Sequence, residues 1–286
     1  MYLQIAAYLS LVAFFAGLAY KVARWSRMPI HLRWDIQPVP HDPAHRTGGS
    51  SLQEERWWAN PGKPDNVNEL KELFLEMLFI KRAFKQNKGF WLATYLFHGG
   101  TYLMLLWAAL VALWAAVAPP VVPQLAEAVG WLGIICMTVG SISLLGIRAG
   151  GSSRNYTTPA EFVNLIFVIS IPLTGIYAWS ADPGFGAAER FVSSLASPAT
   201  PVSLSSAVVL NLVLIGVFLA YLPFTKMTHF VGKYFTYHRV IWEDAPLSER
   251  DAAEVQKYLG APLAWSAPHI FKGKSWVDNV TEVPGN

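Results

Sequence analysis

His98 and His229 are set apart from the other five histidines of this 286-residue chain by the apolar runs around them. One lies in Tyr95-Leu96-Phe97-His98-Gly99-Gly100-Thr101-Tyr102, the other ends Leu222-Pro223-Phe224-Thr225-Lys226-Met227-Thr228-His229. An ionisable side chain at membrane depth is costly and by default marks a functional site. A rise of about 1.5 Å per residue puts His98 roughly 12 Å in from a helix start near Phe90. His229 follows Leu204 on a helix of opposite direction, so both imidazoles fall toward one side, His229 a turn or two shallower. Tilt, or a kink at Pro223, would remove the mismatch. Two imidazoles on antiparallel helices in one leaflet can clamp a haem iron from both faces. Gly99 and Gly100 clear side-chain bulk beside His98 for a flat ring, although a close helix contact uses the same glycines. A histidine that only hydrogen-bonds a neighbouring helix is the plainer alternative.

With imidazole at both axial positions an iron has no open site, which favours one-electron transfer over oxygen chemistry. Arg148 and Lys226, at helix ends on the same side, are placed to meet haem propionates; they equally suit anchoring at headgroups. Tyr95 and Tyr102 flank His98 and are candidates to pack on haem or quinone, with ordinary aromatic packing as the simpler account. Cys136 and Met137 read as core residues. As the only cysteine, Cys136 excludes a disulfide framework, and an iron-sulfur cluster held by this chain's thiolates. His238, nine positions after His229, is turned about 900° from it and reads as a surface residue. His31, His41, His45 and His269 lie in loops or the tail.

The elements that must hold these residues follow from composition. The chain is 53% hydrophobic and 14% charged, with a mean hydropathy of +0.32, too apolar for an average soluble domain. No basic block points to nucleic acid. An all-α fold is expected, with five spans of about 20 residues, enough to cross roughly 30 Å of hydrocarbon. They are Met1 to Tyr20, Phe90 to Val117, Ala128 to Ile147, Phe162 to Ala181, and Leu204 to Leu222 with a helical extension toward Tyr237. Of the 22 Lys and Arg residues, all but Arg190 fall in the loops and tail on one side. Positive segments stay cytoplasmic, so the N-terminus is expected outside and the C-terminus in the cytoplasm. Lys21, Arg24 and Arg27 follow the first apolar run instead of preceding it, so it reads as a retained helix, not a signal peptide.

Four segments result: a first transmembrane helix (1–27), a cytoplasmic loop with an amphipathic helix (28–89), a four-helix haem-binding bundle (90–240) and a cytoplasmic docking tail (241–286). The loop opens Pro-rich and Trp-containing, with Trp34, Trp57 and Trp58. Its helical part carries Val67, Leu70, Leu73, Phe74, Met77 and Leu78 ahead of Lys81, Arg82, Lys85 and Lys88, a pattern that suits headgroups or a partner. The tail is too short for a domain with its own core.

Phe97-His98-Gly99 and Pro223-Phe224-Thr225-Lys226-Met227-Thr228-His229, with the loop from Arg148 through Arg154, Thr157, Thr158 and Pro159 to Glu161, resemble the membrane cytochrome b subunits of the respiratory nitrate reductase gamma-subunit family. Its relatives include the b subunits of heterodisulfide-reductase-like and sulfite-reductase-linked menaquinone oxidoreductases. The resemblance runs from about Phe90 to Arg239. It implies b-type haem held by His98 and His229, menaquinone or another quinone as exchangeable partner, and a cytoplasmic iron-sulfur subunit in a multi-subunit complex. The setting it implies is the cytoplasmic (inner) membrane of a bacterium or archaeon. The chain would then be a subunit of a quinone-linked oxidoreductase, not a stand-alone catalyst. Two-haem members have further histidines ten positions after the first and eighteen before the last; here those positions are Ala108 and Asn211. One haem is therefore expected, with quinone exchange near it. Two rivals remain at this point: a haem-free membrane scaffold, and a small transporter with the histidines in its path.

Overall fold

The computed structural model describes residues 1–28, 38–49, 65–197, 201–242 and 249–281. The loop tryptophans Trp34, Trp57 and Trp58, and His31, lie outside them. The described residues are helical, with no strand and only two isolated bridges, Pro262 with Ser275 and Ala267 with Ile270. Five helices are long and apolar enough to cross a bilayer: α1 (Tyr2–Ser26), α4 (Lys88–Val117), α5 (Val122–Ala149), α6 (Pro159–Trp179) and α8 (Ser206–Tyr221). Shorter helices are α2 (Asn66–Phe79), α3 (Lys81–Gln86), α7 (Gly186–Ala196), α9 (His229–Thr236), α10 (Glu249–Leu259) and α11 (Trp276–Thr281). Large apolar side chains such as Leu9, Phe15, Leu105, Ile135, Ile166 and Val217 are exposed on the long helices. Such an exterior suits hydrocarbon and not water.

Contacts divide the chain into two units, one within Met1–Leu32 and Val67–Val240, the other within Arg33–Asn66 and Ile241–Asn286. The amphipathic segment thus belongs with the bundle, while the proline-rich loop and the tail share the second unit. In that unit Trp265 packs edge-on to Trp276, and Val39, Trp242 and Ile270 are buried.

In the first unit the helix starts carry their own signals. The Asn87 side chain accepts from the Phe90 amide at 3.0 Å, Thr158 and Glu161 form a capping box, and the Ser205 hydroxyl accepts from Val208. α4 and α5 then pack along a seam of small residues. A Cβ on Gly140 would lie 2.2 Å from the Phe97 amide nitrogen, and one on Gly100 would lie 2.4 Å from the Met137 nitrogen. Gly133 abuts Met104 and Gly130 abuts the Trp107 ring. The paired positions rise on one helix as they fall on the other, the register of two antiparallel helices whose backbones touch.

α6 and α8 are joined by a polar clamp. Buried Asn211 donates to the Ile171 carbonyl and to Thr174 Oγ1, both at 2.9 Å, and Tyr221 donates to Asn164 at 2.8 Å. At one end of the bundle Trp107, Trp179 and Phe185 form a buried aromatic core with ring centroids 5.2–6.2 Å apart. Phe185 enters from the turn before α7, a helix that the spacing of apolar residues did not reveal.

Gly140→Ala forces the α4–α5 seam apart and is expected to cost about 1–3 kcal/mol, lowering the Tm of the purified protein. Gly146, in the same helix but with nothing within 4 Å of its Cβ position, tolerates alanine; a thermal melt of the two variants side by side checks the contrast.

Candidate functional site

The fifth span does not continue as one kinked helix to Tyr237. α8 stops at Tyr221, two short 3-10 turns follow (Leu222–Phe224 and Lys226–Thr228), and α9 begins at His229. Pro223 has no amide hydrogen to carry the helix on, and Thr225 between the turns is extended (φ −109°, ψ 174°). The threonines close the break internally. Thr225 Oγ1 donates to the Leu222 carbonyl at 2.8 Å and accepts from the Met227 amide at 3.0 Å, while Thr228 Oγ1 donates to the Thr225 carbonyl at 3.0 Å. The break resolves the difference in depth expected from two straight helices, since the rings of His98 and His229 meet.

Their centroids are 5.8 Å apart with planes 74° to one another. His98 Nδ1 lies 2.8 Å from the Thr94 carbonyl, one turn back on α4. That carbonyl can only accept, so the ring's proton is on Nδ1 and the Nε2 lone pair is left for a ligand. Thr94 Oγ1, next to this pair, is buried without a hydrogen-bond partner.

The donor set narrows the chemistry. A metal between two imidazole nitrogens at about 2 Å from each places the ring centroids about 6 Å apart, close to the observed separation. Among the described residues no group of three or more His, Cys, Asp or Glu converges to hold a metal ion. A bare zinc ion needs three or four protein ligands. Two adjacent imidazoles without a third protein ligand instead suit a metal whose other ligands come from a macrocycle.

An open surface groove of about 540 Å³ runs past His229, with Lys21 and Trp25 of α1, Thr225, Lys226 and Lys233 among its walls; His98 does not line it. His229 is exposed and His98 is half-buried. The two glycines beside His98 separate in role: Gly100 is consumed by the α4–α5 seam, whereas Gly99 has nothing within 4 Å of its Cβ position.

The remaining sequence candidates fall in different places. Lys226 shares the groove wall with His229. Arg148, at the end of α5, is not on that wall; both cations lie near enough to Glu161 to act on its charge. Tyr95 stacks on Trp91 at 5.0 Å, and Tyr102 donates to the Met77 carbonyl at 2.9 Å. Neither ring pairs with His98 or His229 among the described residues. At the positions of the missing second histidine pair, Ala108 is exposed and Asn211 is committed to the α6 clamp. His238 is not a free surface residue: its Nδ1 lies 2.6 Å from Glu69 and its ring stacks on Tyr234 at 5.0 Å.

Sequence spacing gave α2 a headgroup or partner role, not a place against the residues around His229. Glu69 of α2 meets His238, and buried Glu76 meets the Lys233 ammonium at 3.7 Å; Lys233 is also close enough to act on both imidazoles. Trp91 adds a bond from its indole to the Phe79 carbonyl at 2.8 Å. The pattern of acidic residues on α2 was visible, but not that α9 would bring it basic partners. In comparisons with known proteins, no family model, curated protein or solved structure matches the chain.

Tyr102→Phe removes the bond to Met77 and is expected to cost about 1 kcal/mol of stability. The loss should appear as faster amide hydrogen exchange in α2, with α5 and α6 unchanged.

Proposed function

We propose that this chain is a membrane cytochrome b: a multi-pass electron-transfer subunit holding one haem b between His98 and His229. The observation that carries the reading is the facing pair of imidazoles at 5.8 Å, one with its Nδ1 tied to a backbone carbonyl. When bound, the haem would supply a one-electron redox centre with no open coordination site. Everything else in the mechanism belongs to the chain. His98 and His229 would fix the position and orientation of the centre, the Thr94 carbonyl holds one imidazole in its ligating tautomer, and Lys226, on the wall beside His229, is assigned with Arg148 to the propionates. Gly99 leaves the helix surface beside His98 bare.

A single haem agrees with the packing at the other end of the bundle. Trp107, Trp179 and Phe185 fill that core, and Asn211 is spent on Ile171 and Thr174. The distribution of Lys and Arg supports a cytoplasmic position for the histidine end, with the N-terminus outside, and the resemblance implies a bacterial or archaeal inner membrane. Electrons then pass between menaquinone or another quinone in the bilayer and an iron-sulfur subunit docked on the cytoplasmic face, because one cysteine cannot hold a cluster in this chain. The resemblance of the two histidine segments to the nitrate reductase gamma-subunit family supplies the quinone and the partner.

A dithionite-reduced minus oxidised spectrum of the purified protein is expected to show one haem b per chain, lost in both His98→Ala and His229→Ala. A haem-free protein would leave the scaffold and transporter readings standing, and two haems would contradict the assignment of Ala108 and Asn211. The ring planes, 74° apart, leave the two π-type d orbitals of ferric iron nearly equal in energy. Its low-spin EPR spectrum should therefore show a single strongly anisotropic low-field feature, not the rhombic pattern of parallel imidazoles.

A further inference from the structure

The resemblance and the histidine pair both leave α1 without a task. Its contacts give it one. Gly17, Lys21 and Trp25, four residues apart and so on one face, each meet a different part of the broken segment that carries His229. A Cβ on Gly17 would lie 2.6 Å from Pro223 Cβ, so only glycine lets α1 reach the proline that ends α8. The Lys21 ammonium donates to the Thr225 carbonyl at 2.8 Å and to Thr228 Oγ1 at 2.7 Å. Trp25 lies over Gly232, 3.5 Å from its Cβ position, and packs edge-on to Phe235 at 5.8 Å. The far end of α1 is held as well, by Gln4 to Ser194 at 3.4 Å and by the Tyr8 hydroxyl to the Leu195 carbonyl.

We infer that α1 is part of the cofactor site and that Lys21 is a positioning residue, holding the Thr225–Thr228 turn so that His229 faces His98. The Thr225 carbonyl, at the N-cap of the Lys226–Thr228 turn, also accepts from Thr228 Oγ1, and Thr228 is buried immediately before His229. A charged donor that binds both fixes the direction in which α9 starts. Hydrogen bonds to a charged group are the strong ones, and the Lys21 ammonium ties this turn to α1, which the bonds inside the turn do not. The same helix forms one wall of the groove past His229. The proposal deepens the cytochrome reading, on which its spectroscopic consequence rests; the strut itself is testable without haem.

The test compares wild type, Lys21→Met and Lys21→Arg as full-length protein in detergent. Methionine keeps the length and removes both bonds, whereas arginine can still donate to two acceptors. Amide hydrogen exchange over Leu222–Gly232 should be about tenfold faster in Lys21→Met and return most of the way in Lys21→Arg. With haem bound, Lys21→Met should also shift the low-field EPR feature, because the angle between the imidazoles changes, while haem content by pyridine haemochrome need not fall. Exchange in that segment equal to wild type in Lys21→Met overturns the strut, as does an unchanged EPR feature. Wild type without haem overturns the cytochrome reading, and exchange alone then decides the role of Lys21.

Discussion

Backbone contact between α4 and α5 is the constraint from which the rest of the bundle follows. Gly100, Gly130 and Gly140 let two helices approach until a side chain at any of these positions would strike the partner's backbone or a ring, and Gly133 packs closely on Met104. In a medium as apolar as the side chains themselves, such close packing replaces the hydrophobic drive that assembles soluble helices. The seam fixes the height of α4 against α5, and hence of His98 in the first half of α4. It also sets Trp107 against Gly130, where Trp179 and Phe185 complete an aromatic core. One helix pair thus closes one end of the bundle and leaves the other end, with Gly99 bare, open for a ligand.

The second imidazole arrives by the opposite device, a deliberate loss of regularity. Pro223 ends α8, Thr225 turns extended, and α9 restarts at His229. A broken helix at membrane depth leaves backbone groups that must be satisfied from within the protein. Two threonines do so locally, and Lys21 does so from α1. The irregular stretch is therefore held by polar bonds and not by a continuous helix ladder, and His229 stands at its end. Below it α2 meets α9 through Glu76 with Lys233, and the turn after α9 through Glu69 with His238, so charge is balanced close to the imidazoles.

Much of this was legible in the chain itself. The five spans follow from apolar length, and apart from the fifth segment's extension toward Tyr237 the observed helix ends agree with the predicted ones to within six residues, because hydrocarbon thickness permits little else. His98 and His229 were visible because an ionisable side chain in an apolar run has few neutral explanations. Asn211 was legible as not being a histidine, but its bonds to Ile171 and Thr174 depend on how α6 and α8 are rotated, which their uniformly apolar sequences do not encode. Tyr95 and Tyr102 illustrate the same limit: both flank His98 in sequence, yet one turns to Trp91 and the other to Met77.

The sequence by itself determined the number of spans, their lengths and the identity of the histidine pair, since these depend only on local composition and on the cost of burying charge. Tertiary structure alone decided that the rings face each other at 5.8 Å, that Gly100 serves the seam while Gly99 stays bare, and that Lys21 braces the break before His229. Each of these is a relation between residues tens to hundreds of positions apart. Such relations are set by which helix faces meet, and in helices that are apolar on every side no periodicity records that choice.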